Sequence, residues 1–270
     1  MKLKYFIIAV LSALSNSFHP LYSTPQVVNY ELNGKLLERK QIATSIKASL
    51  QIVNAGIPGN NSSDLLKRFD QEINQAKPDL AIIMVGTNDM LNTKNLVTYS
   101  NYRSNLRTMV TRLKAKGIKP LLICPPPADT TYLYERHDRK AYAEMPNEKM
   151  DSVRNIIKEL AVENNFGYVD VYDAFVKLNV PKHNSDDYIR NEINSNARDG
   201  VHPTPKGYDL IAKAVFNYLI TTKTVFSGMK IICLGDSITN GVHVKGAGTA
   251  IGETYPGVLY RLLDIYIQKN

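Results

Sequence analysis

At 270 residues, 44% hydrophobic and 21% charged, the chain has the composition of a globular protein with a sizeable core, built as one large domain with a short extension. Its net charge of +8 comes from scattered rather than blocked Lys and Arg, which describes a solvated basic surface and argues against a nucleic-acid groove. Two cysteines exclude a disulfide framework, and the 16 tyrosines, with no tryptophan beside them, serve as half-buried packing residues or line a sugar-binding cleft.

The first 23 residues read as an export signal. Met1-Lys2-Leu3-Lys4 is a basic start, Tyr5 to Leu14 is apolar, and Ala13-Leu14-Ser15 supplies small residues for cleavage, with Ser23 a later option. The apolar run is too short to span a bilayer. A secreted or periplasmic protein is expected; the alternative is a cytoplasmic one with a buried N-terminal helix or strand. Residues 24–49 form an extension in which Asn33-Gly34 is a hairpin-turn signal.

From residue 50 onward, short apolar runs alternate with helical patterns. The runs are Leu50–Asn54, Leu80–Val85, Lys119–Cys124, Tyr168–Val171 and Lys230–Leu234. Continuous apolarity suits strands buried on both faces, hence a parallel sheet with helices on each side. Between and after them, helices are predicted over Ser62 to Ala76, Leu96 to Lys116, Asn147 to Asn164, Thr204 to about Ile220, and Thr254 to Ile267. Pro125 to Pro146 and Ala174 to Arg198 are long irregular segments, the kind that are functional or disordered.

Four clusters carry candidate chemistry, each at a strand end or before a helix, where α/β sheets build sites. Asn54-Ala55-Gly56-Ile57-Pro58-Gly59 follows the first run; a glycine there lets backbone N–H groups approach a ligand, or simply makes a strand-to-helix turn. Gly86-Thr87-Asn88-Asp89 follows the second; the Asn88 amide can donate to a developing oxyanion, a donor typically worth ~3 kcal/mol, or cap the next segment. In Asp199-Gly200-Val201-His202 the aspartate can fold back to accept the imidazole Nδ1–H, leaving Nε2 free to take a proton. A capping loop and a metal pair are the other readings. His137, His183 and His243 share no ligand-like spacing with that pair, so no metal is expected. Gly235-Asp236-Ser237 ends the last run and exposes a hydroxyl at a tight turn, as a nucleophile or as a helix cap. No phosphate-loop ending follows it, which disfavours a nucleotide enzyme.

Together the four clusters resemble the signature blocks of the SGNH (GDSL-type) hydrolase superfamily over roughly residues 50–268. The resemblance implies a flavodoxin-like three-layer α/β/α sandwich with a five-stranded parallel sheet, and ester hydrolysis through an acyl-enzyme without metal or organic cofactor. It assigns Ser237 as nucleophile, His202 as base and Asp199 as its orienter. The oxyanion hole would comprise the N–H groups of Ser237 and Gly56 and the amide of Asn88. One departure is large: the serine block comes last, as in a circularly permuted chain. Residues 221–229 can reach ~30 Å, enough to join a helix to the strand Lys230–Leu234 on the sheet edge opposite the site. Met229 sits at that seam. The resemblance also makes the serine strand central, with one strand between it and Cys124. Cys124 and Cys233 are then ~9–10 Å apart and remain free thiols.

The expected substrate is a short O-acetyl ester, favoured on a carbohydrate by export and a tyrosine-rich cleft. Lysophospholipase, thioesterase-type or acyltransferase activity on the same three residues is the alternative, as is a non-catalytic carbohydrate-binding protein. No nucleic-acid partner and no stable membrane insertion are expected, and the oligomeric state is left open.

Overall fold

A computed structural model describes residues 49–270 together with two short strands ahead of them, β1 (Tyr30–Leu32) and β2 (Lys35–Leu37). The chain divides into two units, residues 1–46 and 47–270. In the first, β1 and β2 pair antiparallel with Tyr30 opposite Leu37 and Leu32 opposite Lys35. The predicted export signal, and the Asn33-Gly34 turn itself, lie outside the described residues.

The second unit is built on β3 (Gln51–Gly56), β4 (Leu80–Met84), β5 (Lys119–Cys124), β6 (Gly167–Asp170) and β7 (Lys230–Gly235). They form one parallel sheet in the order β3-β7-β4-β5-β6. The strand furthest along the chain therefore lies between the first two strands of this sheet. Asp79 holds the junction: its N–H donates to the Lys230 carbonyl (2.8 Å) and its carboxylate accepts from the Lys230 N–H (2.8 Å).

Alternation of side chains along each strand feeds two cores. Leu80, Ile82 and Met84 point to one face with Ile231 and Cys233; Ala81 and Ile83 point to the other with Ile232 and Leu234. The second face is covered by α1 (Ser62–Ala76), α3 (Tyr99–Ala115) and α5 (Pro146–Asn164), through Phe69, Leu106, Met109 and Ile157. The first is covered by α8 (Pro205–Thr221) and α10 (Tyr255–Lys269), through Ile211, Val215, Leu259 and Leu263. This is the expected three-layer α/β/α sandwich. Four of these five long helices start where a side chain meets their orphan N–H groups: Asn61 with Asp64 in a capping box, then Thr98, Thr204 and Thr254, while α5 begins on Pro146 without a side-chain cap. Thr98 explains why α3 begins at Tyr99 and not at Leu96.

The segments read as irregular hold short helices: α4 (Thr130–Arg136) in the first, and α7 (Glu192–Ser195) in the second, where α6 (Val171–Val176) also ends. A five-residue helix, α2 (Thr87–Leu91), follows β4, and α9 (Ser237–Asn240) follows β7. Cys124 and Cys233 are buried and free, separated by β4. No helix among the described residues is long and apolar enough to cross a membrane.

Candidate active site

β7 delivers Ser237 to the carboxyl edge of the sheet. Asp236 leaves the strand in an extended conformation, and its carboxylate accepts from the Ile238 N–H at 2.9 Å, so α9 starts with Ser237 at its first position. A first-turn N–H has no helical acceptor, and that of Ser237 donates to no described residue. Burial pushes the Asp236 carboxyl up to about 6 despite that bond.

The loop before α8 supplies the imidazole. Asp199 folds back on its own turn, taking the N–H groups of Val201 (3.0 Å) and His202 (3.1 Å) on Oδ1. The same carboxylate lies 2.9 Å from His202 Nδ1, and His202 Nε2 lies 3.0 Å from Ser237 Oγ. A carboxylate only accepts, so Nδ1 carries the proton and Nε2 is free to accept from the serine hydroxyl. Burial pushes the Asp199 carboxyl up; the hydrogen bond and charge of His202, with the two backbone N–H groups, outweigh it and hold the group at about 2. The loop is fastened on both sides: Arg190 N–H donates to the His202 carbonyl, Gly200 N–H to the Arg190 carbonyl, and Asp129 N–H to the Gly200 carbonyl.

Asn88, in α2, spends one amide hydrogen on the Asn60 carbonyl at 3.1 Å, and a side-chain amide has two. It lines a cleft of about 700 Å³ together with Ser237, His202 and Gly59. Gly56, the expected backbone donor, does not line that cleft. Strand β3 runs on through it, paired with Gly235, and its N–H is taken by Asn54 Oδ1 at 3.0 Å. A Cβ there would stand 2.1 Å from the Asn240 nitrogen, so Gly56 is a packing glycine beneath α9. The glycine exposed at the cleft is Gly59, whose φ of +82° places it in the left-handed region and whose N–H donates to no described residue.

Two further expectations are corrected. Among the described residues no tyrosine lines the cleft; Tyr102, Tyr132, Tyr208 and Tyr255 are buried in the interior instead. His243, set aside on spacing, comes to the pair through the fold: its ring stands 5.2 Å from that of His202, and its Nε2 is 3.9 Å from Asp199. Asp199, His202 and His243 offer three ligand atoms within 4.8 Å of one another. Both nitrogens of His202 are already hydrogen-bonded, to Asp199 and to Ser237, so a cation would have to displace one of them. Of the other histidines, His137 bonds Thr93 and His183 bonds Asp129. The sequence reading also missed the cleft cations Lys94, Arg136 and Arg190.

The sequence model of the GDSL-like lipase/acylhydrolase family matches residues 30–210. The chain belongs to that family. As a GDSL-like acylhydrolase it is a serine carboxylic ester hydrolase. It is similar to the uncharacterized lipoprotein YqeF of Bacillus subtilis, 27% identical over 64% of this chain and 75% of that protein. It is also similar to an acetylxylan esterase of Geobacillus stearothermophilus, 28% identical over 61% and 70%. Among solved structures, a GDSL-like lipase of Bacteroides thetaiotaomicron superposes with a TM-score of 0.46 at 24% identity, over 61% of this chain and 73% of that one. The family match ends before Ser237.

Proposed function

We propose that this GDSL-like hydrolase cleaves short-chain O-acyl esters, O-acetyl esters first among them, with Ser237, His202 and Asp199 as its catalytic residues. The observation that carries the reading is the 3.0 Å contact between Ser237 Oγ and His202 Nε2, with Asp199 on the far side of the ring. Ser237 Oγ attacks the carbonyl carbon while its proton passes to His202 Nε2. The carboxylate of Asp199 stabilises the imidazolium. The oxyanion accepts from the N–H groups of Ser237 and Gly59 and from the second amide hydrogen of Asn88. Collapse expels the alcohol, which takes the proton from His202. Water then attacks the acyl-enzyme, its proton going to His202 and back to Ser237 as the acid leaves. The likeness to an acetylxylan esterase supports an acetyl group and a sugar alcohol.

We further infer that the chain is circularly permuted relative to its family. Support comes from the end of the family match at residue 210 and from the position of β7 between β3 and β4. Export, through the first 23 residues, belongs to the same reading; the likeness to a lipoprotein agrees with it.

A serine-directed fluorophosphonate, read by mass spectrometry, is expected to label Ser237, and Ser237→Ala to lose turnover of 4-nitrophenyl acetate while keeping its melting temperature. Labelling elsewhere, or full activity in the variant, would remove the assignment.

A further inference from the structure

The cleft around Ser237 is lopsided in charge. Four cations line it, Lys94, Arg136, Arg190 and Arg198, against one carboxylate, Asp199. Two of the four are spoken for. Arg198 is held by Glu135 and lies 3.6 Å from Glu192, while Arg190 Nε stands 3.6 Å from Asp199. Lys94 and Arg136 have no carboxylate within ion-pair distance among the described residues. They belong to one wall of the cleft because Thr93 Oγ1 and His137 Nδ1 are bonded at 2.9 Å, which ties the loop carrying Lys94 to the end of α4 carrying Arg136. Arg136 is aimed by a further bond, from its guanidinium to the Arg198 carbonyl at 2.9 Å, immediately before Asp199. The His137 imidazole between them registers the field: burial, then the charges of Arg136 and Lys94, lower its pKa. A wall with two unpaired cations raises the local concentration of anions and repels cations.

Resting on the esterase reading above, we infer that the substrate is an ester that also carries a carboxylate, held by Lys94 and Arg136 while Ser237 attacks. The carboxylate can belong to the alcohol, as in an O-acetylated uronic acid, or to the acid, as in a dicarboxylate half-ester. Two matched pairs separate these sources: the acetylated methyl glycoside of glucuronic acid, its carboxylate free, against acetylated methyl glucoside, and methyl hemisuccinate against methyl butanoate. Each pair differs by one anionic group. The expected result is a higher kcat/KM for the anionic member of one pair, carried in KM. That ratio should fall with rising ionic strength and fall about tenfold when Lys94→Gln and Arg136→Gln are combined. Arg136→Lys, which keeps the charge while changing the bond to the Arg198 carbonyl, should retain most of the preference. Equal rates within both pairs, or a preference indifferent to salt and to the charge-removing variants, would overturn the inference. An enzyme inert toward all four esters and toward the fluorophosphonate would instead overturn the esterase reading, and the anion preference with it.

Discussion

A methyl group added at Gly56 would meet the Asn240 nitrogen at 2.1 Å and the Thr239 carbonyl carbon at 2.7 Å, both backbone atoms of the helix that begins with Ser237. Nothing flexible is available to yield. Gly56→Ala is therefore expected to cost about 1–3 kcal/mol and to slow turnover by tilting α9, read as a lower melting temperature together with a lower kcat. At Gly59 the same methyl meets open space, but the backbone is left-handed, so the cost there is about 1–2 kcal/mol of conformational strain. Asn88→Ala should retain the fold and lose roughly 10²-fold in kcat, the usual cost of one oxyanion donor. These assignments differ in how far they could be read from sequence. Asp199 and His202 lie three residues apart and make their contact within one turn, so the spacing alone announced it. Gly56 misled because Asn54 is polar and looks like a strand end, whereas β3 continues two residues further. His243, Lys94, Arg136 and Arg190 reach the cleft from four separate segments, and no local pattern encodes such a meeting.

At the level of elements, Arg68 on α1 does more than pair with a neighbour. Its Nη2 donates to the carbonyls of Ala55 (2.8 Å), next to last in β3, and Gly235 (2.9 Å), last in β7, while Nε bonds Asn60 and Nη1 bonds Glu72. One side chain thus ties a helix to the ends of the two strands that flank the catalytic turn. Arg68→Met should lower the denaturant midpoint by an amount equivalent to about 3 kcal/mol, because the Ala55 and Gly235 carbonyls each lose a charged donor, the latter keeping only the Ile57 N–H, and Glu72 loses its ion pair in a partly buried place. Equal stability of variant and wild type would refute that role. The long helices were legible because each carries a 3.6-residue apolar stripe behind a capping side chain or, in α5, a first-turn proline. The short ones, α2, α4, α6, α7 and α9, were not: four to seven residues hold too few repeats for a period to register.

For the whole molecule, three buried carboxylates set the dependence of stability on pH. Asp89 and Asp236 are both pushed up to about 6 by burial, with Ser62 and Ile238 respectively donating to them. The native state holds those protons between about pH 4 and 6, where the unfolded chain has released them, so stability falls as pH rises through that window. Asp199, held at about 2, acts oppositely: its contribution is present above pH 4 and is lost as pH falls toward 2. Asp236→Asn should flatten the upper limb by up to about 3 kcal/mol, seen as a melting temperature that drops less than the wild type's between pH 4 and pH 8. The order of the strands makes a second prediction. Moving residues 229–270 ahead of residue 49 through a flexible linker of about ten residues should yield a folded, active enzyme, since closing such a loop adds little entropy cost. An unfolded product would count against permutation.

The position of β7 also governs when this fold can form during synthesis. Until a ribosome has passed residue 235, β3 and β4 have no common neighbour, and the strand that must separate them is still inside the exit tunnel or not yet made. The nascent chain therefore carries two strand edges with unpaired N–H and C=O groups through more than half of its translation, at the roughly 5–20 residues per second typical of protein synthesis. The late birth of any hydrolytic capacity follows from where one central strand was written.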